Sequence, residues 1–130
     1  MQKRLGLVDL LLIAEALLGE PAERLLRKVS IVRAEAALAA PAASFDGVEF
    51  YPDPVERAAV CCSRLVRNHP FPRGNKEIAY ECMREMLERE GISWPHSPQD
   101  DAEVADLIEA LAMGRLREEE FVSWVRSRVG

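Results

Sequence analysis

The segment His69-Pro70-Phe71-Pro72-Arg73-Gly74-Asn75-Lys76 brings a base, a glycine, a capping side chain and two cations together in one short stretch. An imidazole titrates near ~6.5, so His69 can take a proton from a hydroxyl group near neutral pH. Gly74 lets the backbone approach a ligand or adopt a positive φ, and Asn75 is a good helix N-cap. With a helix starting there, the N–H groups of its first turn and the positive end of its dipole make an anion site. Lys76 adds a point charge suited to phosphate. A base beside an anion site is what phosphoryl or nucleotidyl transfer to a hydroxyl requires. Residue types alone leave a plainer reading open, in which His69 is structural and Gly-Asn is only a cap.

Other chemistry-bearing residues carry less. Cys61, Cys62 and Cys82 fit no zinc spacing, and an odd count makes a poor disulfide framework, so they read as reduced core residues. His96 lies in a loop and reads as solvated. Met83, Met86 and Trp124 read as packing, and Glu118–Glu120 as first-turn acids favoured by a helix dipole.

Helices must position the segment. Residues 55–67 repeat Val55, Ala58, Ala59, Cys62, Leu65 and Val66 at intervals of three and four, with Pro54 suited to a first turn. Residues 75–90 form the helix after the loop, with Ile78, Ala79, Cys82, Met83, Met86 and Leu87 as its apolar stripe and Gly91 as its stop. Upstream, residues 7–18 are apolar on most of their circumference and read as a central helix ending at Gly19. Residues 22–29 read as a helical turn or loop, and Ser30 caps a helix over 31–40. Downstream, Asp100 and Glu103 have capping-box spacing for a helix over 101–112, and 118–128 forms the last one. Residues 42–54 carry Pro52, Pro54 and Gly47 with Phe45, Val48, Phe50 and Tyr51. They read as an ordered loop, with one short extended stretch, lying against the body.

The chain's 130 residues suit one domain spanning 1–130. Aromatic residues make up 6%, and the Ala- and Leu-rich remainder favours an all-α fold. A net charge of −5 argues against direct nucleic-acid binding, which needs a basic face. No apolar run is long enough to span a membrane. Residues 1–4 lead into a helical pattern with no cleavage site, so the expected location is the cytoplasm.

The stretch Asn68–Ala79, NHPFPRGNKEIA, resembles the active-site signature of the Fic/Doc family. That signature is His-any-Phe, two variable positions of which the second is usually acidic, Gly-Asn, Gly or Lys, and Arg. Lys76 after Gly-Asn is similar to the Doc, or death-on-curing, branch. Leu38–Pro41 with Phe45, Gly47 and Tyr51-Pro52 resembles the approach to the family's flap beside the active site. Gly114, Glu118-Glu119 and Trp124 resemble its C-terminal helix. The resemblance implies a bundle of about six helices with the active-site loop at the start of a central helix. It implies His69 as catalytic base, Phe71 as the loop's anchor, Gly74 and Asn75 as the phosphate-binding turn, and Lys76 as a phosphate contact. It also implies ATP or a related nucleotide as donor and a protein hydroxyl as acceptor, of the elongation factor Tu type. A toxin held silent by a Phd-like antitoxin is implied as well.

Two positions reverse the family's charge. Arg73 stands where the signature has its Mg²⁺-binding acid, and Glu77 where it has a phosphate-binding arginine. Mg²⁺ demands oxygen ligands, which counts against Mg²⁺ and leaves no metal ligand in the motif. Arg73 and Glu77, four apart, can pair. Three readings follow: a Doc-like transferase with an altered site, a catalytically silent binding protein on the same fold, and a repurposed enzyme with metal-independent chemistry. In the last, Arg73, Lys76 and the helix start would hold a phosphorylated or acidic substrate.

Overall fold

A computed structural model describes residues 4–95 and 97–129. His96 and residues 1–3 lie outside the described residues, so the readings that fall on them have no counterpart below. Seven α-helices appear among the described residues: α1 Leu7–Leu18, α2 Ala22–Lys28, α3 Ile31–Ala39, α4 Pro54–Asn68, α5 Asn75–Arg89, α6 Pro98–Ala112 and α7 Glu118–Val129. The fold is all-α, with one small exception between α3 and α4.

The centre is α4. Asp53 caps it by accepting the Val55 N–H at 3.0 Å, and Pro54 occupies its first turn. It packs against α3, α5, α6 and α7, and it buries nine of its residues. Burial on all sides makes it, with α5, the hairpin that carries the core. The three cysteines lie inside this pair, free and buried. Burial pushes the Cys61 thiol up to about 12 and raises Cys62 and Cys82 in the same direction. They serve as small apolar residues, as their spacing suggested.

Four expectations are corrected. α1 is peripheral: only Leu10, Leu11 and Ala14 are buried, while Val8 and Leu12 face out. Its all-round apolar character did not make it central. The segment after α3 continues through a 3-10 turn, Ala40–Ala42, into an antiparallel β-hairpin of β1 Ser44–Phe45 and β2 Val48–Glu49. Asp46 and Gly47 turn it with φ of 53° and 80°, which suits a two-residue hairpin turn. This hairpin does not lie against the body, for Phe45, Val48 and Phe50 are 74%, 66% and 57% exposed. α6 begins earlier than Asp100 suggested, because Ser97 is the cap: its Oγ accepts the Asp100 N–H at 3.1 Å.

Candidate functional site

α4 ends at His69, which takes the left-handed conformation (φ 50°, ψ 56°) and donates its backbone N–H to the Leu65 carbonyl at 3.1 Å. That turn exposes the imidazole, which has no hydrogen-bond partner among the described residues. The residues on either side of His69 are anchored. The Pro70 carbonyl accepts the Ser30 N–H at 2.8 Å, which ties the loop to the start of α3. Asn68 Nδ2 donates to the Arg33 carbonyl at 3.1 Å. Phe71 is buried in the core.

Asn75 holds the loop closed. Its Oδ1 accepts the Phe71 N–H at 2.9 Å and its Nδ2 donates to the Phe71 carbonyl at 2.7 Å, with the side chain 5% exposed. Sequence reading took Asn75 as the N-cap of α5, and this is corrected: Gly74 is the cap, and Asn75 is the first helical residue. Its amide is spent on the loop, so only its backbone N–H faces outward chemistry. Gly74 has φ +77°, and a Cβ there would sit 2.6 Å from Leu18 Cδ2. The close approach that requires glycine is thus to the end of α1, in addition to the positive φ.

The N–H groups of Asn75, Lys76 and Glu77 have no acceptor among the described residues, as expected for a first turn. They lie on the first turn of α5, directly after the short loop that begins at His69. The cations around them are engaged. Arg73 Nη2 lies 3.8 Å from Glu20 Oε1, and Lys76 pairs with Glu109 of α6. The expected Arg73–Glu77 pair is not formed; Arg73 turns back toward the α1–α2 connection instead. Glu77 is exposed and lines, with Lys76, Tyr80, Asp101 and Glu109, a groove of ≈ 380 Å³ between α5 and α6. Tyr80 there donates to Asp101 at 2.9 Å and accepts from Trp94 Nε1 at 2.8 Å, and burial pushes its hydroxyl up to about 12. Among the described residues no three His, Cys, Asp or Glu side chains gather as metal ligands would, and no helix is long and apolar enough to cross a membrane.

Sequence reasoning missed the partners Glu20 and Glu109. It read Glu118 as a first-turn acid, which it is, but missed that Glu118 also receives Arg64 through two hydrogen bonds, 2.8 and 3.2 Å. These pairings join segments far apart in sequence, and no local pattern announces them. Compared with known proteins, the profile of the Fic/DOC family matches residues 5–87, which spans α1 to α5. No curated protein matches the chain.

Proposed function

Because the chain belongs to the Fic/DOC family, we propose that it transfers a phosphoryl or nucleotidyl group from a nucleotide to a hydroxyl group of a protein. One observation carries the reading: an exposed imidazole, His69, and the N–H groups of Asn75, Lys76 and Glu77, without acceptors among the described residues, stand at the two ends of one short loop anchored by Pro70, Phe71 and Asn75. His69 takes the proton of the target hydroxyl as its oxygen attacks phosphorus. The bond from phosphorus to the leaving group breaks, and the leaving oxygen carries away the negative charge. The first-turn N–H groups face the charge on the phosphoryl oxygens.

Arg73 and Lys76 join them at small cost. Each pair they must leave is partly exposed, and such pairs contribute about 0–1 kcal/mol. The residues do not fit Mg²⁺ where the family's signature places it, because a guanidinium has no oxygen to offer. No step is routed through that ion. The exposed apolar residues of the β1–β2 hairpin give a protein target a surface to rest on. Lys76 after Gly74-Asn75 supports a Doc-type reading, in which a Phd-like antitoxin would be its inhibitor and the elongation factor Tu type its target.

A second reading has an observation of its own. Both cations already hold carboxylates, which suits a catalytically silent binding protein on the Fic fold. The two readings separate on ATP labelled at either its α or its γ phosphate, incubated with the protein and a cytosolic extract. Transfer of label to protein is expected, lower by about a hundred-fold or more in His69→Ala, as loss of a general base predicts. Label from the γ position identifies phosphoryl transfer, and label from the α position identifies nucleotidyl transfer. Equal labelling by the two proteins removes the enzymatic reading. Calorimetric titration of ATP, with and without Mg²⁺, into this chain and into Arg73→Asp plus Glu77→Arg then tests the altered charges. If the natural protein ignores ATP and the reversed one binds it only with Mg²⁺, the silent reading stands.

A further inference from the structure

The root of the β1–β2 hairpin is held by arginines. Arg57 Nη1 donates to the carbonyls of Tyr51 and Pro52 at 3.1 and 2.7 Å. Arg64 Nη2 reaches the Tyr51 hydroxyl at 3.4 Å while the same guanidinium grips both oxygens of Glu118. Arg126 of α7 pairs with Asp53, the α4 cap. Glu118 has a second cation: Arg67 Nη1 lies 3.7 Å from its Oε1. Arg67 is two residues before His69.

Both of these contacts of the carboxylate are to α4, one at its last turn before His69 and one at an arginine that also reaches Tyr51 at the hairpin root. Through Arg64 and Tyr51 it holds the hairpin root, and through Arg67 it holds the last turn of α4. It is unlike the other surface acids, because its side chain is 12% exposed and its geometry with Arg64 is two-pronged. By contrast, the Arg117–Glu120 pair next to it is 79% and 48% exposed. Glu118 also lies on α7, beyond residues 5–87. It is thus supplied by a part of the chain outside the matched family region.

We propose that Glu118 is a positioning residue: it sets the β1–β2 hairpin against the turn that displays His69, so that a protein resting on Phe45, Val48 and Phe50 presents its hydroxyl to the imidazole. This rests on the function proposed above for His69. The holding of the hairpin does not depend on any activity, and it is tested first.

Glu118→Gln keeps the shape and removes the charge. Residue-by-residue amide exchange is expected to show the Phe50 N–H, bonded to the Ala43 carbonyl at 3.0 Å, exchanging about ten-fold faster. The amides of Ile78 and Cys82 in α5 should change by less than about two-fold, since local opening leaves the core closed. Tyr51→Phe removes only the hydroxyl contact and should shift Phe50 the same way by less. Unchanged exchange at Phe50 in both variants overturns the proposal, and so does acceleration shared equally by α5. With a protein target in hand, Glu118→Gln should raise KM for that target several-fold and leave kcat within about two-fold. An unchanged KM beside a loosened hairpin breaks the link to His69 and overturns the positioning role. If the wild-type protein transfers nothing, the proposed function falls, and the exchange result alone decides whether Glu118 holds the hairpin.

Discussion

Two short connections of this protein are built in opposite ways. The loop from His69 to Gly74 is closed by buried hydrogen bonds to Asn75, a buried Phe71 and a glycine pressed on Leu18. The β1–β2 hairpin has two residues per strand, an exposed apolar tip and a root held by arginines. In the loop the backbone is fixed and the charges around it are exposed and exchangeable. In the hairpin the charges are what fixes the backbone. Arg73 in the loop and Glu77 on α5 make none of the hydrogen bonds that close it, so a site built this way keeps its geometry when those charged residues are exchanged.

The strongest way to break the comparison is Asn75→Ala. It leaves the N–H and carbonyl of Phe71 buried without partners, and thermal or urea unfolding should register a loss of about 3 kcal/mol. A loss under about 1 kcal/mol would mean that the loop is not held from within.

Acid should act in between, and on the hairpin side. Burial raises the Glu118 carboxyl, but the Arg64 hydrogen bond and the charges of Arg64 and Arg67 outweigh it and hold the group below its ordinary 4.5. A folded-state value below the unfolded one means that the stabilisation is complete above about pH 4.5. It is lost as pH falls through the depressed value. Asp9, lowered by the Gly6 backbone hydrogen bond and by Arg89, acts with the same sign. Stability followed by circular dichroism should therefore fall below about pH 4.5, less steeply in Glu118→Gln. Equal slopes would remove Glu118 from the account.

The smallest expected effect is Phe45→Ser. The side chain is exposed, so unfolding free energy should move by no more than about 0.5 kcal/mol. A larger loss would show that the tip packs on something in solution.

What was legible in the sequence follows the same division. Local signals spoke clearly: Pro54 at the start of α4, Ser30 capping α3, and Gly74 and Gly91 in the left-handed region at the two ends of α5. The two central helices were visible in their three-and-four spacing, and the motif between them was placed correctly at a helix start. Long-range partners were silent, since Lys76 meets Glu109 and Arg64 meets Glu118 across 33 and 54 positions. Asp46-Gly47 did announce a tight turn, but two-residue strands are too short to show alternation, and the apolar residues beside it read as packed when they are exposed. α1 misled for a related reason: in a chain this small, a helix that is apolar all round still leaves Val8 and Leu12 in water.

The three thiols sealed between α4 and α5 have a use that their packing alone does not suggest. Since all three are buried, a cysteine placed on the hairpin would be the accessible one to label, without the native ones being removed. Cys62 and Cys82 would meanwhile act as a clock, reacting with an added disulfide reagent only when the core around them opens. One reagent can then time two events in the same molecule, the stirring of the tip and the opening of the heart.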